Sequence, residues 1–146
     1  MEKNRKNLKT YSIVALVFVA ISLIRMIVDV CMNGFGDVTQ LPEGISPEFA
    51  DVALVIVWVI GIVFLLPQVY VGVKGIKQAN NPTPGKAHMV WALILTALSV
   101  VSLISGIADI TKVYTFEKLL TVIDVLLNVV VFSAYLYYAR LVAKEI

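Results

Sequence analysis

The chain has 146 residues, a formal net charge of +2, 60% hydrophobic residues and only 15% charged ones. Soluble domains run nearer about 45–50% apolar and 25% charged, so this composition excludes an ordinary water-soluble domain. The small net charge gives no electrostatic footprint for nucleic acid, and a lone cysteine excludes an internal disulfide.

The apolar residues gather into stretches at about 11–32, 52–73, 89–110 and 119–139. About 20 helical residues at about 1.5 Å rise cover the roughly 30 Å hydrocarbon core of a bilayer. Barrel strands would alternate apolar and polar residues, and residues 53–66 are apolar on every face. The predicted fold class is therefore all-α: a polytopic membrane protein with four transmembrane helices, forming one domain over residues 1–146.

The first stretch follows a basic segment, Lys3, Arg5, Lys6 and Lys9. A signal peptide has this start, but here the apolar run is too long and no small-x-small site closes it, so the stretch reads as a retained span. Val28-Asp29-Val30 before Cys31 lacks the small residue that lipoprotein processing requires. Cys31 reads as a packed, unpaired thiol. Arg25 interrupts the stretch about 21 Å in from Tyr11, roughly 9 Å short of its far boundary. Asp29 follows it at i+4 on the same helical face.

Residues 33–46 contain Gly34, Gly36, Pro42 and Gly44 and read as a loop. Ser46-Pro47-Glu48 has the form of a helix start: a capping hydroxyl, a proline, then an acid. The second stretch is uncharged. Pro67 removes one backbone bond and predicts a kink that frees the Val63 carbonyl. Gly61 and Gly72 permit close helix approach, and Gln68 can reach a neighbouring helix.

Thr83-Pro84 repeats the Ser-Pro pattern before the third stretch. His88 stands alone at its start, with no Cys, Asp or Glu at ligand spacing, so no metal or cofactor is expected. The third stretch carries Thr96, Ser99, Ser102, Ser105 and Gly106. Ser99, Ser102 and Gly106 share a face, and Ser102-x-x-x-Gly106 has the spacing that lets helices touch; packing is the default reading and a polar conduit the alternative. Asp109 ends this stretch. Thr115 and Glu117 read as the cap and first turn of the fourth helix, which carries Asp124 and, one turn on, Asn128.

The positive charges are asymmetric. Nine basic residues flank one end of the spans (Lys3, Arg5, Lys6, Lys9, Lys74, Lys77, Lys86, Arg140 and Lys144), against Lys112 and Lys118 at the other. The positive-inside rule then places both termini in the cytoplasm of a cell with the chain in its plasma (cytoplasmic) membrane. Tyr11, Tyr70, Trp91, Tyr135, Tyr137 and Tyr138 read as the inner aromatic belt, and Phe35, Phe49, Tyr114 and Phe116 as the outer one.

Two alignments suggest an internal duplication. A shift of 77 places Lys9, Ala15, Leu16, Ala20 and Ser22 on Lys86, Ala92, Leu93, Ala97 and Ser99; a shift of 66 places Asp51 and Lys74 on Glu117 and Arg140. Residues 1–77 and 78–146 would then be two tandem hairpins of like orientation, a parallel repeat. Chance matching of apolar helices is the competing explanation.

Charge inside a membrane is costly, about 2.5–3.5 kcal/mol at the helix centre on insertion scales. Arg25, Asp29, Asp109, Asp124 and Asn128 are therefore expected to face inward near the outer boundary. One reading is an ion-pair clasp, Arg25 with Asp124 and Asp29; another is an outward-open site for an ion or small polar ligand; a third is snorkelling of Arg25 to the headgroups. No catalytic constellation is present: His88 has no triad partner, and the loop acids lack calcium spacing. The expected function is non-enzymatic. It is that of a small integral membrane protein acting through helix–helix contacts, as an accessory, immunity-type or scaffold subunit that self-associates or joins a larger complex. The alternative is an oligomeric small channel or transporter using the Arg/Asp site. The lipid bilayer is the one partner that composition itself implies.

Overall fold

The structure is a computed structural model that describes residues 2–34 and 44–146. The described residues are helical, with no strand among them: α1 Glu2–Asn33, a 3-10 turn Pro47–Phe49, α2 Ala50–Val63, α3 Leu66–Asn80, α4 Ala87–Lys112 and α5 Phe116–Lys144. Helices α1, α4 and α5 are each long and apolar enough to cross a membrane, as is Ala50–Asn80, which α2 and α3 share. The all-helical fold class and the four apolar segments thus agree with the sequence.

The helix ends differ from the apolar boundaries for local reasons. α1 begins nine residues before its apolar run, because Lys3, Arg5, Lys6 and Lys9 are good helix formers that continue it. It stops at Gly34, whose φ of +69° is left-handed and whose N–H donates to the Val30 carbonyl at 2.9 Å. Glycine adopts that conformation without a Cβ penalty. Residues 35–43 of the predicted loop, Phe35 of the outer belt included, lie outside the described residues.

One expected helix start takes 3-10 form and another is corrected. Ser46 opens the 3-10 turn, with its hydroxyl 3.4 Å from the Glu48 N–H, while α2 itself starts after Phe49 with no side-chain cap. Thr83 does not cap α4. Its hydroxyl accepts from Gln78 Nε2 and its N–H donates to Gln78 Oε1, both at 2.8 Å, so it closes the end of α3. α4 opens at Lys86, again without a side-chain cap. The expected cap of α5 is present: Thr115 is extended (φ −137°, ψ 153°) and accepts from the Lys118 N–H at 3.2 Å.

The second apolar stretch is interrupted just before Pro67. α2 ends at Val63 and α3 begins at Leu66; between them the Leu65 N–H donates three residues back, to Ile62, at 3.0 Å. Pro67 becomes the second residue of α3, where its missing N–H has no intrahelical role.

The described chain falls into two compact units, one of residues 17–66 and one of residues 1–16 with 67–146. The 17–66 unit holds the second half of α1 and all of α2. Its buried side chains are apolar: Val19, Ala50 and Leu54 are buried, and a Cβ on Gly61 would lie 3.0 Å from Met26 Cε.

The other unit contains the start of α1 with α3, α4 and α5, and its helix directions follow from contact register. Asn4 meets Glu145 and Tyr11 stacks on Tyr138, so α1 and α5 run antiparallel. Ser12 faces Gly75 and Leu16 faces Gly72, so α1 and α3 also run antiparallel. His88 meets Tyr135 and Gly106 meets Val122, so α4 and α5 form an antiparallel hairpin across the three-residue link 113–115. Within this unit the order is up, down, up, down. Its core comprises Leu8, Ala15, Val71, Ala92, Phe132, Tyr135, Ala139 and Val142.

Candidate functional site

The 1–16/67–146 unit buries a polar junction to which each of its four helices contributes. Tyr135 of α5 is fully buried, as is Ser12 of α1, and His88 of α4 is 5% exposed. The His88 Nδ1 and the Tyr135 hydroxyl lie 2.7 Å apart, with the rings edge to face at 88°. In the Nε2–H tautomer the phenol O–H donates to Nδ1. The Ser12 hydroxyl donates to the Leu8 carbonyl at 2.7 Å. Gly75 of α3 completes the junction, because a Cβ there would overlap both Ser12 Oγ and the Tyr135 ring. Gly72, one turn away on the same face, leaves room for Leu16, whose Cδ2 would be 2.6 Å from a Cβ. Gln78, also buried, spends both ends of its amide on Thr83.

Buried polar groups are costly unless paired, so a paired set fixes register more firmly than an apolar core does. The chemistry of this junction is that of a lock: one phenol–imidazole bond, one hydroxyl turned back on its own helix, and a glycine that admits both. Sequence reasoning missed it. Tyr135 reads there as a belt residue and is instead the largest fully buried side chain. His88 reads as solitary, because its partner is 47 positions away. The available signal was Gly72 and Gly75 at i, i+3, a glycine face on α3.

The residues singled out by sequence are distributed over both units. Arg25 and Asp29 belong to the 17–66 unit; Asp109, Asp124 and Asn128 belong to the other. Arg25 and Asp29 are exposed residues of α1 and, among the described residues, line a hollow of about 490 Å³ together with Ile24, Met32 and Asn33. The Asp29 carboxylate accepts from Asn33 Nδ2 at 2.8 Å. Asp109 is exposed in the last turn of α4, while Asp124 and Asn128 are half-buried one turn apart on α5. The pairing of Arg25 with Asp124 stays an expectation of the sequence. On the small-residue face, Gly106 packs against Val122 within the chain, Ser99 is half-buried, and Ser102 is exposed. Cys31 is a free, exposed thiol rather than a packed one. No His/Cys/Asp/Glu group among the described residues is arranged to hold a metal.

No protein-family model, curated protein or solved structure matches the chain.

Proposed function

We propose that the protein is a multi-pass integral membrane protein of the cytoplasmic membrane, with both termini inside, that acts without catalysis through helix–helix association. It is an accessory or scaffold-type subunit. One observation carries this reading: the long helical segments place most of their apolar side chains outside. In the most apolar 18-residue stretch of each long helical segment, only 11% of residues are buried, or 17% in α5. Ile24 and Ile27 on α1, Val57 on α2, Val101 and Ile104 on α4 and Val130 on α5 are all about half exposed or more. In water, each such side chain would forgo about half of the roughly 1.5–3 kcal/mol that full burial is worth; in lipid it would not.

The interior supports the same reading. Ser12, Gln78, His88 and Tyr135 each spend their polar groups on one another, on Thr83 or on the backbone, as packing devices do. α4 also presents exposed Ser102 and Ser105 beside large apolar side chains, which suits close contact with another helix.

The test is assembly. The protein extracted in a mild detergent is expected to run as an oligomer or with a retained partner by light scattering. Reconstituted into liposomes, it is expected to carry no ion flux. A monomer that retains no partner overturns the association reading. Selective flux abolished by Arg25→Ala favours the channel instead.

A further inference from the structure

We propose that the groove between the N-terminal end of α4 and the C-terminal part of α5 is a binding site for one anionic phospholipid. Its phosphate is held between Lys86 and Arg140, and an acyl chain lies along Val90, Leu93 and Leu136. The proposal rests on the membrane reading above.

The groove has a volume of about 410 Å³, and Lys86, Val90 and Leu93 of the α4 side face Leu136, Tyr137 and Arg140 of α5. Its polarity is graded along one direction. On α4 the lining positions 86, 90 and 93 are one turn apart and pass from a cation to two aliphatic side chains over about 10 Å. α5 runs the opposite way, so Arg140 and Lys86 lie toward the same end of the groove, and Leu136 lies one turn further in from Arg140. A cationic head over an apolar trough is the shape of a phospholipid at a membrane boundary.

Charge complementarity selects an anionic headgroup. Both lining charges are positive, and no acid among the described residues lines the groove. Among the described residues neither the Lys86 ammonium nor the Arg140 guanidinium forms an ion pair. α4 opens at Lys86 without a side-chain cap, so the positive end of its dipole adds to the same field. Tyr137 is 60% exposed at this level, where an amphipathic ring sits well among headgroups. Basic pockets between membrane helices on the cytoplasmic side hold anionic headgroups by this logic. The apolar walls distinguish the site from a general basic surface such as Lys74 and Lys77, exposed residues of α3 outside the groove.

The experiment first extracts expressing cells with alkaline carbonate and then titrates the full-length protein in detergent with short-chain phosphatidylglycerol, phosphatidylcholine or inorganic phosphate, read by native mass spectrometry. One tightly held phosphatidylglycerol is expected, with no phosphatidylcholine or phosphate adduct at the same concentration. Each basic residue near an anionic headgroup contributes about fivefold in affinity, so Lys86→Gln with Arg140→Gln is expected to weaken binding about thirtyfold. Leu93→Trp, which fills the trough, is expected to weaken it while leaving both cations in place. Lys74→Gln with Lys77→Gln is expected to leave binding unchanged. Equal losses in the two double variants, or phosphate binding as tightly as the lipid, overturn the site. Release into the carbonate supernatant overturns the membrane reading itself, whereas a membrane-retained protein without lipid preference overturns only this proposal.

Discussion

A methyl group at Gly75 would meet Ser12 Oγ and the Tyr135 ring together. Neither can withdraw easily, since both residues are fully buried. Gly75→Ala is therefore expected to destabilise the protein by about 1–3 kcal/mol, the usual cost of overpacking. Gly85→Ala, where a Cβ meets nothing within 4 Å, is its control and should shift stability by less than about 0.5 kcal/mol. Denaturation in mixed detergent micelles measures both. The His88–Tyr135 bond makes a second residue-scale prediction. Tyr135→Phe keeps the ring and strands a buried imidazole nitrogen, at an expected cost of about 1–3 kcal/mol. A double-mutant cycle with His88→Leu should return a coupling of about 0.5–3 kcal/mol, and a coupling near zero would remove the junction's role as a lock.

At the scale of elements, ends are set by local chemistry. Thr115 is the one expected capping hydroxyl that caps the α-helix it precedes. Thr115→Ala is expected to cost about 1 kcal/mol, and Thr115→Gly only a few tenths, when both are measured by the same denaturation. Ser-Pro and Thr-Pro before the second and third stretches look equivalent in sequence. They diverge because Thr83 lies within reach of Gln78 on the preceding helix, and this alternative partner takes its hydroxyl. Pro67 shows the same limit. The sequence identifies a disruption but cannot say whether the helix bends through it or stops and restarts. Here Phe64 and Leu65 leave the α-helix, with the turn closed by a tighter bond from Leu65 to Ile62.

At the scale of the molecule, the distribution of basic residues predicts a sidedness that a single thiol can report. Cys31 is the only cysteine, it is exposed, and it lies near the end of α1 opposite the basic segment. A membrane-impermeant maleimide is expected to label it in intact cells. In Cys31→Ser with Ile146→Cys, labelling is expected only after permeabilisation. The reverse pattern would place the termini outside.

The sequence alone determined the all-helical class and the four apolar segments, because segment length and hydrophobicity are additive properties of neighbouring residues. It also located the disruption at Pro67 and the cap at Thr115, since both act within one turn. Tertiary structure alone decided which polar residues matter to one another. His88 and Tyr135 read separately as a lone ring and a belt residue, and they become partners only because α4 and α5 fold back in a particular register. The Lys86–Arg140 groove arises in the same way, from residues 54 positions apart in the sequence that line one groove from opposite sides. Hydropathy can place each of these residues at a depth, but the facing of one helix to another depends on shape complementarity at positions such as Gly75, which no local pattern encodes.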